Sequence, residues 1–236
     1  SFLSLHPNTP IIKTNYQTAE LIKYANNSFL ATKISFINQI ANICERVPNS
    51  NIDDIAKAIG MDPRIGNLFL NAGPGFGGSC LPKDLKAIIN FAKKTGSDST
   101  FLNAVEDVNK TQINNIISII KKSLGTLERK MITVLGISFK PNTDDIRESK
   151  SIELIKKLIN NKANVIVHDP KSQKNTFQIF GNKIQYSDTL VDSIKKSQCM
   201  IIMTEWNAYR NINNSLLNNM SKKLVIDCRK IGRAHV

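Results

Sequence analysis

The spacing of apolar residues changes once along this chain, near residue 125. Before that point it is helical. From Thr14 to about Val47 there is neither proline nor glycine, and Leu21, Ile22, Ala25, Phe29, Leu30, Ile34, Ile37, Ile40, Ala41 and Cys44 lie around more than one face. The stretch predicts one helix over 14–47, capped by Thr14 or Asn15 and about 50 Å long at 1.5 Å per residue. A helix that is apolar on most sides has to be covered. In a chain of this size, cover on several sides points to a subunit interface. A second helix is predicted over 51–60, with Asp53 and Asp54 in its first turn and Gly60 at its end. Two more follow, over 85–94 and 101–123. The latter turns Val105, Val108, Ile113, Ile116, Ile117 and Ile120 inward and stops at Gly125.

Beyond 125 the apolar runs are short and separated by helical stretches. Strands are predicted over 130–136, 164–170, 199–204 and 223–227. Helices are predicted over 151–160, near 190–196 and over 207–220. Such alternation means a parallel sheet with helices on both faces. The expected fold class is therefore α/β: an all-helical dimerisation region over 14–125, then a Rossmann-like parallel-sheet domain over 126–230. Residues 1–13 read as a linker. Residues 231–236 match the translation of a common sequencing adapter and read as a non-native tail.

Composition narrows the classes. The 236 residues suffice for one large or two small domains, and 41% hydrophobic residues supply real cores. No apolar run approaches the roughly 20 residues that span a bilayer, and the first residues lack a signal peptide's basic start. Cys44, Cys80, Cys199 and Cys228 are far apart, without metal-ligand spacing. Reduced thiols, a cytoplasmic setting, no membrane and no bound metal are the expectation. The net charge of +13 comes from scattered lysines that travel with Asn and Ile. No nucleic-acid motif accompanies them, so no nucleic acid is expected. A basic surface still attracts anionic nucleotides.

One loop concentrates chemistry: Gly73-Pro74-Gly75-Phe76-Gly77-Gly78-Ser79-Cys80-Leu81-Pro82-Lys83-Asp84. Cysteine is a nucleophile through its thiolate. Lys83 adds a cation and Asp84 a carboxylate, and the glycines allow close approach of backbone to a ligand. Gly73, Gly75 and Gly78 also spell G-x-G-x-x-G. That pattern binds a dinucleotide only between a strand and a helix start. Residues 64–72 show no strand alternation, and Ser-Cys-Leu-Pro is not a clean helix start, so the dinucleotide reading is rejected here.

The same loop resembles the active-site cysteine segment of the nucleotide-sugar 6-dehydrogenases, the UDP-glucose and GDP-mannose dehydrogenase family. Ala19-Glu20-Leu21-Ile22-Lys23-Tyr24-Ala25-Asn26-Asn27-Ser28-Phe29 resembles the family's long helix, and Gly136-Ile137-Ser138-Phe139-Lys140-Pro141-Asn142-Thr143-Asp144-Asp145-Ile146-Arg147-Glu148-Ser149 resembles its nucleotide-sugar loop. The likeness covers residues 12–230. It implies oxidation of a sugar CH₂OH to a carboxylate in two hydride transfers to NAD. Cys80 would form a thiohemiacetal and then a thioester. Lys23 and Asn27, which read as an ordinary polar patch on their own, would steady the oxyanion as ammonium and amide donors. Asp84 would orient the loop or the hydrolytic water, and hold Lys23 in place.

Further residues follow from the same likeness. Asn71, Gly73, Gly75, Phe76, Gly77, Phe139, Lys140 and Arg229 would line the nucleotide-sugar site. Arg64 would reach a substrate on the neighbouring subunit of a homodimer built on the long helix. Lys83 and Arg147 would contact NAD. His168 and Asp169 read instead as a strand end before a proline turn. The family's NAD-binding domain, with a threonine and a glutamate used in catalysis, would lie upstream, so this piece alone is expected to be inactive. Ser79 before the cysteine fits UDP-glucose and GDP-mannose enzymes, not those for N-acetylated sugars, which tend to have His there. The long helix and Asp62-Pro63-Arg64-Ile65-Gly66 look more like the UDP-glucose group. An inert nucleotide-sugar-binding module and a dimerising scaffold are the alternatives.

Overall fold

The computed structural model describes residues 10–229. The first nine residues of the predicted linker, and the predicted tail, lie outside this range.

The helical part begins with α1, Tyr16–Cys44. Asn15 caps it by accepting from Thr18 N at 2.9 Å, and the chain leaves the helix three residues before the predicted end. At 29 residues α1 is about 43 Å long. Its buried residues are Ser28, Ala31, Ser35, Ile37 and Asn38, while Ile22, Phe29, Phe36 and Ile43 are exposed. Helix α2, Ile52–Gly60, starts at the Asn51 cap. Helix α3 spans Leu81–Lys94 and α4 spans Thr100–Leu124, ended by Gly125 at φ 75°.

The start of α3 corrects the sequence reading. Cys80 itself is the N-cap, and Pro82 sits in the first turn, where its missing N–H costs nothing. Ser-Cys-Leu-Pro is a helix start after all. The rejection of the dinucleotide pattern stands on the other ground, since no strand precedes the loop.

Among the described residues five parallel strands form one sheet: β1 Met131–Leu135, β2 Asn164–His168, β3 Gln185–Tyr186, β4 Cys199–Ile202 and β5 Leu224–Asp227, in the order β3-β2-β1-β4-β5. Alternate strand residues feed two cores. Ile132, Val134, Val165, Val167 and Ile201 pack with α4 and with α5, Lys150–Asn160. Leu135, Met200, Ile202 and Val225 pack on the other face with Trp206, Tyr209 and Met220. The expected α/β architecture is the observed one.

Two local expectations fail. Helix α6, Gln173–Phe180, and the two-residue β3 were not foreseen, because Lys171 to Asn182 is mostly polar and carries little period. The helix predicted over 207–220 is instead a 3₁₀ turn, Asn207–Tyr209, and a single turn α8, Asn214–Leu217. Asn211, Asn213 and Asn214 favour caps and turns over helix interior, and Asn213 indeed caps α8. The remaining helix, α7, is Leu190–Ile194.

The sheet order reverses direction between β1 and β4. Ligands of open parallel sheets bind outside the strand C-termini at such a switch point. Here that point holds the turn after β1 and the segments after β4 and β5, and the cysteine loop packs against it.

Candidate active site

Three parts of the chain meet along residues 73–84. The first is α1. Asn27 Nδ2 donates to Asp84 Oδ2 at 2.6 Å, and Lys23 Nζ lies 3.4 Å from the same oxygen. Asp84 is 1% exposed, whereas Lys23 is 59% exposed. Asp84 Oδ1 is buried without a hydrogen-bond partner, with Lys83 Nζ 4.0 Å away. Asp84 N donates to Cys80 O at 2.9 Å, so the carboxylate that gathers the two α1 donors stands one helical turn from the thiol. Cys80 is exposed, with Ser79 Oγ 3.7 Å from its Sγ.

The second part is the segment after β1. Gly78 N donates to Arg147 O at 3.0 Å. A Cβ on Gly78 would lie 2.8 Å from the Phe139 ring, and one on Gly77 would run into the Glu148 carbonyl oxygen. Lys140 is exposed, its ammonium 5.4 Å from the Phe139 ring centroid. Arg147 is exposed near Cys80 and forks onto Asp145 at 2.7 and 3.0 Å; that guanidinium holds the Asp145 carboxyl below its ordinary value.

The third part is the end of β5. Arg229 Nε donates to Met203 O at 2.9 Å and pairs with Glu205 at 3.1 Å. Its Nη1 would lie 3.5 Å from a Cβ on Gly73.

This arrangement revises two expectations. The spaces opened by Gly75, Gly77 and Gly78 are taken by Asn109, Glu148 and Phe139 of this chain rather than left for a ligand. Phe76 is 5% exposed and packs with Ala31, Leu85, Ile89 and Val105. Its ring belongs to the core, not to a ligand surface. Asn71 is exposed ahead of the loop. Arg64 stands apart: its side chain is 86% exposed, held by Asp62 at 2.6 Å, and touches none of the groups around Cys80.

Several supports were invisible in the sequence. Asn109, on α4, accepts from Phe76 N at 2.8 Å and donates to Phe76 O at 3.2 Å. Lys150 Nζ then donates to Asn109 O at 3.0 Å and pairs with Glu153, which ties the loop to α5. Asn38 accepts from Gly73 N at 2.7 Å. Asn38 left no clear trace, since Ser35 and Gln39 flank it in the same stretch. Asn109 and Lys150 left none, since their partners are 33 or more residues away. A cleft of about 490 Å³ lies behind the loop, lined in part by Pro82, Leu85, Asn109, Arg147 and Lys150. Cys80, Lys23 and Asn27 are not in it; they form open surface.

Comparison with known proteins places the chain in a family. The central-domain model of the UDP-glucose/GDP-mannose dehydrogenase family matches residues 17–111, and the same family's UDP-binding-domain model matches residues 133–234. The chain is 44% identical over 227 residues to a protein of Bacillus subtilis described as a putative UDP-glucose 6-dehydrogenase, covering 96% of this chain and 52% of that one. It is 42% identical over 223 residues to the UDP-glucose 6-dehydrogenase of Rickettsia conorii, covering 93% and 51%. The solved UDP-glucose dehydrogenase of Pyrobaculum islandicum superposes with a TM-score of 0.89 at 33% identity, covering 98% of this chain and 54% of that one. The chain thus spans about half the length of the relatives it matches. With both family models matched in tandem across the helical part and the sheet, the chain belongs to the UDP-glucose/GDP-mannose dehydrogenase family.

Proposed function

We propose that this chain is the central and UDP-sugar-binding part of an NAD-dependent UDP-glucose 6-dehydrogenase. The observation that carries the reading is the convergence of Lys23 and Asn27 on Asp84, one turn from an exposed Cys80.

The residues do the following. Phe139, Lys140 and Arg229 hold the nucleotide sugar at the switch point, with its C6 toward Cys80. Lys83 and Arg147 are exposed cations near the cysteine loop and suit the diphosphate of a dinucleotide. Two NAD, bound in turn, would each accept one hydride. After the first oxidation the Cys80 thiolate adds to the C6 aldehyde, forming a C–S bond and an oxyanion. Lys23 and Asn27 donate to that oxyanion, held in place by Asp84. Loss of the second hydride from C6 restores the carbonyl as a thioester. Water then adds, the C–S bond breaks, and the thiolate returns with release of the carboxylate. The chain alone, without the upstream residues its relatives carry, binds nucleotide sugar and does not turn over.

The test joins the upstream coding sequence to this chain and counts NADH per sugar. About two NADH per UDP-glucose is the number a CH₂OH-to-carboxylate oxidation requires. Turnover with GDP-mannose and none with UDP-glucose would move the assignment within the family. Binding without turnover of either sugar would leave an inert module.

The partner is a second copy of the chain. Ile22, Phe29, Phe36 and Ile43 are 49–65% exposed and fall seven residues apart on α1, the spacing of a helix seam. Burying the exposed remainder of such side chains contributes about 1–2 kcal/mol each. Phe29→Asp with Phe36→Asp is expected to shift sedimentation from dimer to monomer at micromolar protein. A double variant that sediments unchanged would remove α1 from the interface. Arg64, exposed and held by Asp62, would serve the neighbouring subunit.

A further inference from the structure

One buried carboxylate beneath the switch point collects six hydrogen bonds. Asp169 follows β2 and is 2% exposed. Its Oδ1 accepts from Lys171 N at 2.9 Å and Ser172 N at 2.8 Å, the ordinary turn an aspartate or asparagine makes before a helix. Its Oδ2 accepts from Ile137 N at 2.6 Å, Ser138 N at 3.1 Å, Ser138 Oγ at 3.1 Å and Trp206 Nε1 at 3.2 Å. A turn needs nothing of the second set. An asparagine would put an NH₂ there, against four donors, so the position demands a carboxylate.

The two arms joined at Oδ2 are those that carry the expected sugar-nucleotide contacts. Ile137 and Ser138 lead directly into Phe139 and Lys140. Their carbonyls are held as well, by Ser149 Oγ at 2.5 Å and Thr204 Oγ1 at 2.6 Å, and Phe139 N donates to Asp145 O at 3.0 Å. The turn is therefore held on both its donor and its acceptor sides, which leaves it little freedom. Trp206 follows Glu205, whose carboxylate is 3.1 Å from Arg229 Nε.

We infer that Asp169 is a positioning residue of the nucleotide-sugar site, setting the Phe139–Lys140 turn and the Trp206–Glu205–Arg229 arm in register with each other. It acts from below and does not touch the ligand. The inference rests on the proposed roles of Phe139, Lys140 and Arg229. Burial pushes the Asp169 carboxyl up, and the N–H groups of Ile137, Lys171, Ser138 and Ser172 more than reverse this, leaving it below its ordinary 3.8. Its hold on the site is thus present at neutral and alkaline pH and is lost only as pH falls through that lowered value.

The experiment uses the protein with its upstream sequence joined and compares the parent with Asp169→Asn, Trp206→Phe and Lys140→Ala. UDP binding is measured by calorimetry, UDP-glucose kinetics by NADH formation, and folding by thermal melts. Asp169→Asn is expected to raise the KM for UDP-glucose and weaken UDP about 10-fold, the scale of a lost charge-assisted hydrogen bond, with kcat within about twofold. Trp206→Phe, which removes the Nε1–H and leaves a smaller aromatic ring, is expected to shift both in the same sense by less. A folded Asp169→Asn with parental KM overturns the inference, as does a fall in kcat with KM unchanged. If Asp169→Asn does not fold, parental UDP affinity in Trp206→Phe overturns it and weakened affinity supports it. Lys140→Ala separates the layers. If it leaves UDP-glucose binding untouched, the ligand reading beneath the inference fails. If it weakens binding while Asp169→Asn does not, the inference alone fails.

Discussion

Cys80→Ser is expected to lower turnover of UDP-glucose by at least about 10³-fold in the protein with its upstream sequence joined, with UDP affinity unchanged. The reason is chemical. A serine hydroxyl at this N-cap position is a far poorer nucleophile toward an aldehyde, and an ester is a less ready leaving state than a thioester. The substitution should cost little stability, because Cys80 is exposed and its thiol makes a long contact with Ser79 Oγ at 3.7 Å. Two readouts check it: NADH per sugar, and the mass of the peptide carrying residue 80 after acid quench. The parent peptide should gain a sugar-nucleotide adduct that the variant lacks or holds only at an early stage. Turnover in the variant within about 10-fold of the parent would remove Cys80 from the covalent role.

Gly77→Ala is the second large expectation, and it tests how the loop is aimed rather than what it carries. A methyl at residue 77 would overlap the Glu148 carbonyl oxygen and come within 3.1 Å of the Glu148 carbonyl carbon and 3.4 Å of Ser149 Cα. These are backbone atoms, so no rotamer change relieves the contact. Residues 77–78 and 147–149 have to separate, and the Gly78 N to Arg147 O bond goes with them. Overpacking of this kind costs about 1–3 kcal/mol. The catalytic cost is larger in proportion, since a misplacement of about 1 Å between a nucleophile and its substrate can cost 10²-fold. Gly96→Ala is the control. Its backbone sits at φ +71° with nothing within 4 Å, so it should lose about 1–2 kcal/mol by left-handed strain and keep parental kinetics. A Gly77→Ala protein with parental melting and kcat/KM would show that the two segments do not need this contact.

The cysteine loop also shows where reading the chain by itself succeeds and where it misleads. Cys80 and Asp84 were legible because local pattern exposes them, with Asp84 one helical turn after Cys80. Lys23 and Asn27 read by themselves as an ordinary polar patch, and only the resemblance to the family singled them out. The glycines were legible as special but not for their reason. What they admit is Asn109, Glu148 and Phe139 of this chain, and that neighbour list is a property of the packed molecule. Phe76 misled for the same cause. Its place in the motif marks it as near a ligand, while the fold spends its ring on the core beneath.

Asp169 was read as a strand end, which it is, and the six donors that converge on it come from residues 137–138, 171–172 and 206. Only the pairs within three residues of it could be foreseen. By itself, then, the sequence determined what depends on neighbours along the chain: the run of helices, the alternation that makes a parallel sheet, and the chemical character of the loop at Cys80. The tertiary structure alone decided that Asn27 shares the Asp84 carboxylate with Lys23, what fills the glycine spaces, and which buried anion aligns the two arms of the switch point. Periodicity and propensity act over a few residues, whereas these contacts close loops of 30 residues and more and are selected by packing and hydrogen-bond satisfaction of the whole fold.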